Sequence, residues 1–184
     1  VARHMVCVNL YMDLDPELAH KHAVAAAHHA GRLAVVRETA GYAAYRAGHY
    51  ELALKELRAA HRISGDVSTW PVMADCERGL GNPLKALALA GSAEVKRLAK
   101  AEEIEMRIVA SGARRDLGEF DAAVVTLQCR ELKSEGDEWA LRLRYAYADA
   151  LEAAGRLDEA REWFGKCADL DGDEETDAVE RAKS

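Results

Sequence analysis

The sequence predicts an all-α fold of antiparallel helix pairs stacked one on another. Three observations carry that expectation. Alanine is roughly one residue in five, a composition that suits close-packed helices. Aromatic residues are only 6%, poor material for a sheet, and three prolines in 184 residues argue against a disordered chain. Finally, one short pattern recurs at near-constant spacing: a glycine, an apolar residue two positions on and an alanine five positions on.

The pattern reads Gly48, Tyr50, Ala53, then Gly118, Phe120, Ala123, then Gly155, Leu157, Ala160. A weaker copy is Gly81, Pro83, Ala86. The glycines are 33, 37 and 37 residues apart, and Ala19 precedes Ala53 by 34. Each glycine is expected to end a helix, because it can take positive φ just past the last turn. Each alanine is expected to face the preceding helix and let the two axes approach closely.

Taken in order, the elements are helices over 2–13, 16–30, 33–47, 50–62, 70–80, 83–91, 99–117, 120–134, 138–154 and 157–169, with a last one near 173–182. Asp15-Pro16 and Asn82-Pro83 each supply a capping side chain followed by proline at the first helical position. Thr69, Trp70 and Pro71 open a helix in a similar way. Residues 92–98 are either a short separate turn or an extension of the seventh helix. Pairs of 33–37 residues joined by tight turns make a solenoid of ten or eleven helices.

In these residues the chain resembles the tetratricopeptide repeats, whose pattern is W-x2-L-G-x2-Y, then A-x3-F, an alanine and a closing proline. One copy reads Trp70, Met73, Ala74, then Ala86, Ala90, Ala93. Another reads Ala40, Gly41, Ala53, Leu57, Ala60, and a third Tyr147, Ala148, Ala160, Phe164, Cys167. The copy with Ala110, Ser111, Arg114, Ala123, Leu127 and Arg130 departs furthest. The closing proline is missing throughout, with Gly65 and Gly172 in its place in two copies. The resemblance implies a right-handed superhelix running as one domain over 1–184. It divides into a degenerate leading pair, 1–33, repeats 34–66, 67–103, 104–140 and 141–174, and a cap over 175–184.

The resemblance also implies that the first helix of each pair lines an inner, concave groove that holds a peptide or a partner's helix. Residues three and four apart share a helix face. That stripe reads Glu38, Tyr42, Tyr45 with Arg46 beside it, then Asp75 and Arg78, then Arg115, then Tyr145 and Asp149 with Arg142 one turn earlier. Tyrosine and arginine are the residues most enriched at binding hot spots. Arg46, Arg78 and Arg115 are expected to form a ladder that seeks an acidic peptide, unless Asp75, Asp116 and Asp149 neutralise them within the chain. The Lys/Asn/Arg clamp of chaperone-binding relatives has no counterpart, since Glu38 and Tyr42 stand there.

Other chemistry finds little support. The chain carries −7 overall, +2 over residues 1–62 and −9 beyond, which argues against a nucleic-acid partner. The longest apolar runs are a few residues, such as Ala23–Ala27, so none spans a bilayer. The start lacks the apolar core of a secretory signal, and a chain opening on Val1 reads as a piece of something longer. Cys7, Cys76, Cys129 and Cys167 are far apart and read as buried, unbridged thiols of a reducing compartment. His20, His22, His28 and His29 lack the i, i+3 or i, i+4 spacing of a helical metal pair and read as a partly exposed helix face. The run Asp171, Asp173, Glu174, Glu175, Asp177 reads as a solvated end cap. No cofactor, metal or catalytic motif is present. The expected role is a cytoplasmic adaptor, from a GC-rich bacterium on composition, that binds another protein. The alternatives are a self-associating or structural module whose groove is filled by its own missing segment or a second copy, and a regulator joined to a DNA-binding domain outside this chain.

Overall fold

A computed structural model describes residues 1–172 and 176–183 and contains eleven α-helices, with no strand among the described residues. They are α1 (Ala2–Tyr11), α2 (Pro16–Ala30), α3 (Ala34–Arg46), α4 (Tyr50–Ser64), α5 (Trp70–Gly79), α6 (Pro83–Ala90), α7 (Lys100–Asp116), α8 (Phe120–Leu127), α9 (Ala140–Ala153), α10 (Leu157–Ala168) and α11 (Ala178–Arg181). Short 3-10 turns cover Ala93–Arg97 and Arg130–Lys133. The chain divides into two compact units, Val1–Asn82 and Pro83–Ser184.

The repeat glycines adopt the conformation that their spacing implied. Gly48, Gly81, Gly118 and Gly155 have φ between 74° and 78°. A β-carbon at any of them would meet nothing within 4 Å, so the backbone angle and not crowding selects glycine there. The four turns also share their hydrogen bonds. The glycine N–H reaches the carbonyl three residues back, and the next N–H reaches five back, as in His49 to Ala44 and Arg156 to Leu151. That second bond is the signature of the Schellman cap. These four turns are therefore built with the same hydrogen bonds.

The matched alanines are buried as expected: Ala53, Ala86 and Ala123 are fully buried and Ala160 is 2% exposed. A second small-residue position, Gly41, Ala74, Ser111 and Ala148, is buried in every copy. At Gly41 a β-carbon would lie 2.4 Å from the Leu57 side chain, so α3 and α4 cross at nearly backbone contact. In the first unit, α1 packs on α2, α2 on α3, α3 on α4 and α4 on α5. Its core around α1 to α3 is Val8, Ala19, Ala23, Ala40 and Ala43. In the second, α6 to α11 pack in sequence around a larger core that includes Ile104, Leu127, Leu143, Leu151 and Phe164.

Several expectations need correction. The predicted helix over 120–134 stops at Leu127, because Gln128 and Cys129 turn extended. Past that break Arg144, 5% exposed, donates its guanidinium to the carbonyls of Leu132 at 3.1 Å and Ser134 at 2.9 Å. A buried cation needs such acceptors, and the 3-10 segment after the extended step supplies them. Thr69 opens α5 without a side-chain cap, whereas Asp15 does cap α2, accepting from the Leu18 N–H at 3.0 Å. Of the helix expected near 173–182, the described residues hold Ala178–Arg181. Cys76 and Cys167 are buried, but Cys7 and Cys129 are only partly so, and all four are free thiols. Asp171 is not solvated: it is 6% exposed and accepts from the Thr176 N–H at 2.9 Å and hydroxyl at 2.6 Å. Asp173, Glu174 and Glu175 lie outside the described residues.

Candidate functional site

The stripe residues fall on the first helices of the pairs: α3 and α5 in the first unit, α7 and α9 in the second. In the first unit the Tyr45 hydroxyl on α3 donates to Asp75 Oδ2 on α5 at 2.6 Å. Arg78 donates to the other oxygen of the same carboxylate at 2.9 Å. Burial, reinforced by the bond to Asp75, pushes the Tyr45 phenol well above its ordinary pKa, so it stays a donor. Arg46 reaches Asp13, beyond the end of α1, at 2.6 Å. Glu38 is partly buried, which with the nearby Asp66 raises its carboxyl pKa.

In the second unit the same construction returns. Arg115 on α7 donates to Asp149 on α9. Arg142 on α9 grips Glu105 on α7 with two bonds at 2.8 and 2.7 Å, the forked geometry that suits guanidinium and carboxylate. Tyr145 donates to Asp177 at 2.6 Å and accepts from Arg181 of α11 at 2.8 Å. Arg181 also bonds Asp149 at 2.8 Å and Glu152. Neighbouring first helices are thus fastened by polar side chains roughly one repeat apart.

The arginine ladder takes a different form from the one expected. The turn bonds place Tyr45, Arg78, Arg115 and Glu152 at one equivalent position, since each carbonyl receives the repeat glycine N–H. Arg46 is one residue further round and belongs to another row. Each of these arginines already meets a carboxylate. Sequence reading missed Asp13, Glu105 and Arg181, though a signal existed. Glu105 and Arg142 are 37 residues apart, one repeat, which on stacked first helices makes them neighbours.

A solved structure shows the same architecture over nearly the whole length. It is described as a thermophilic TPR protein of Thermus thermophilus; its TM-score is 0.72, with 96% of this chain and 93% of that chain covered. The fold is that of a tetratricopeptide-repeat protein. Sequence identity is 19%, so the likeness speaks for the TPR fold alone. No protein-family model matches this sequence, and neither does any curated protein.

The histidines of the chain's first unit lie closer together than their helical spacing suggested, because partners come from other helices. His4 Nδ1 on α1 meets His22 Nδ1 on α2 at 2.9 Å, and the Tyr11 ring stacks on His22. The His20 and His49 rings are 4.9 Å apart, and His49 Nε2 lies 2.9 Å from Glu17. Among the described residues no group of three or more His, Cys, Asp or Glu side chains could hold a metal. No described helix is long and apolar enough to cross a membrane.

Proposed function

We propose that this chain is a protein-interaction scaffold that holds a peptide or a partner's helix against the faces formed by its first helices. Glu38, Tyr42, Tyr45, Arg46, Asp75 and Arg78 make up one such face. Arg115, Arg142, Tyr145 and Asp149 make up the other. The observation that carries this reading is the set of polar bonds running from one first helix to the next, such as Tyr45 to Asp75 and Arg142 to Glu105. They hold large side chains in place before any partner arrives, which lowers the ordering cost of binding. The TPR fold supports the same reading by analogy.

The arginines are paired within the chain, so these faces offer tyrosine rings and neutralised ion pairs and no run of bare cations. The suited partner is an amphipathic segment whose polar groups extend the existing bonds. Affinity purification with the full chain, followed by titration of the captured partner, tests this. Binding should fall at least tenfold in Tyr42→Ala/Arg46→Ala, with helix content unchanged, and should weaken little as salt rises. Steep salt dependence that follows Arg78→Ala and Arg115→Ala would restore the acidic-peptide reading. A footprint on the second helices would remove both.

A further inference from the structure

Helices α2, α3 and α4 enclose a cleft of about 370 Å³ within the first unit. Its size falls in the range of small-molecule sites, roughly 300 to 1,000 Å³. None of the α3 residues offered above for a partner lines it. Its walls are apolar: Ala27, the buried Ala40, and Val24 and Leu52, which are 52% and 44% exposed. Its two charged side chains are already engaged. Arg37 Nη1 donates to Glu56 Oε2 at 2.6 Å, and Arg37 Nε donates to the Gly31 carbonyl at 2.8 Å. A charged ligand of either sign meets a like charge there, an ammonium at Arg37 and a carboxylate at Glu56. An uncharged ligand meets no such penalty and leaves the pair intact.

Two histidines also line the cleft, the exposed His28 and the partly buried His20. The His20 Nδ1 is buried with no hydrogen-bond partner among the described residues. A buried lone pair is left unpaired more readily than a buried N–H, so the single proton of the neutral ring sits on Nε2. Burial first, then His49, lowers the pKa of this ring, with Glu17 and Glu56 opposing, so at pH 8 it is neutral. Nε2 is then the donor that the ring has to offer. We propose that the cleft binds a small uncharged molecule with a compact apolar body and one oxygen, an alicyclic alcohol in class, whose oxygen accepts from His20 Nε2. The apolar walls take the body, and the closed ion pair selects against a charged head.

Three probes with one ring and different heads test the proposal: cyclohexanol, cyclohexylamine and cyclohexanecarboxylate. Each is titrated into the full chain at pH 8, above the ordinary imidazole pKa of about 6.5, and followed by the NMR shifts of the Val24 and Leu52 methyl groups. Cyclohexanol should saturate with a dissociation constant on the order of 1 mM. The amine and the carboxylate should bind at least tenfold more weakly. His20→Phe keeps a ring and removes the donor, and should weaken cyclohexanol at least threefold. Leu52→Trp fills the cleft from an exposed position and should weaken it at least tenfold. Circular dichroism checks that each variant keeps its helices. Equal binding of the three probes overturns the proposal, as does tighter binding of either charged one. So does a cyclohexanol titration that does not saturate, or one indifferent to His20→Phe or to Leu52→Trp.

Discussion

The His20 ring packs beside His49, and its Nδ1 is buried with no hydrogen-bond partner among the described residues. Burial first, and the neighbouring His49 second, hold its pKa below the ordinary 6.5, with Glu17 and Glu56 opposing only in part. The folded chain therefore binds this proton less readily than the unfolded chain. Stability contributed by the neutral ring is complete above the unfolded value and is lost as pH falls through it, until the folded state protonates as well. On moving from about pH 7.5 to 5.5, the melting temperature of the wild type should fall further than that of His20→Gln. Parallel pH profiles for the two proteins would show that the ring is indifferent to its charge. Ala160 carries the second residue-scale prediction. It is 2% exposed in the core formed with Leu151 and Phe164. Leucine there overfills a close crossing and should cost roughly 1–3 kcal/mol in a denaturant melt. An unchanged midpoint would mean that the α9–α10 contact is looser than it looks.

At the scale of elements, the four Schellman turns recur with the same bonds, while the helices they join vary in length. The turn needs only a glycine able to adopt positive φ, so it is set locally. Helix ends set by distant partners behave differently. The chain after α8 breaks into an extended step and a 3-10 turn, and there Arg144 of α9 bonds the carbonyls of Leu132 and Ser134. No local feature of 120–134 announces this, and the apolar pattern there reads as continuing helix. The same argument covers Asp171, whose neighbours suggest a solvated run but whose carboxylate is consumed by Thr176.

At the scale of the molecule, two packed clusters differ in what fills them. The core around α1 to α3 is mostly alanine with one valine. The second unit buries Ile104, Leu127, Leu143, Leu151 and Phe164 among others. Apolar stabilisation grows with area removed from water, about 25 cal/mol per Å², so alanines contribute less than the larger side chains. Repeat proteins also open in parts, since each pair leans mainly on its neighbours. Native-state hydrogen exchange should therefore show the amides of α1 to α3 exchanging through lower-energy openings than those of α9 and α10. Uniform protection across both sets would mean that the chain opens only as a whole.

The sequence by itself determined the all-α class, the positions of the turns, the buried alanines and the repeat spacing. Each of those depends on contacts within one pair, or on the torsion of one glycine, and so leaves a trace at fixed local intervals. The same spacing made one ion pair legible, since Glu105 and Arg142 lie one repeat apart. Tertiary structure alone decided that Arg46 meets Asp13, that Arg181 reaches Asp149, and where α8 ends. It also brought His4 to His22 and His20 to His49. These outcomes depend on which of several carboxylates, carbonyls or rings comes within about 3 to 5 Å once helices pack, and side chains of the same charge or shape leave no periodic mark that distinguishes the chosen partner from the others.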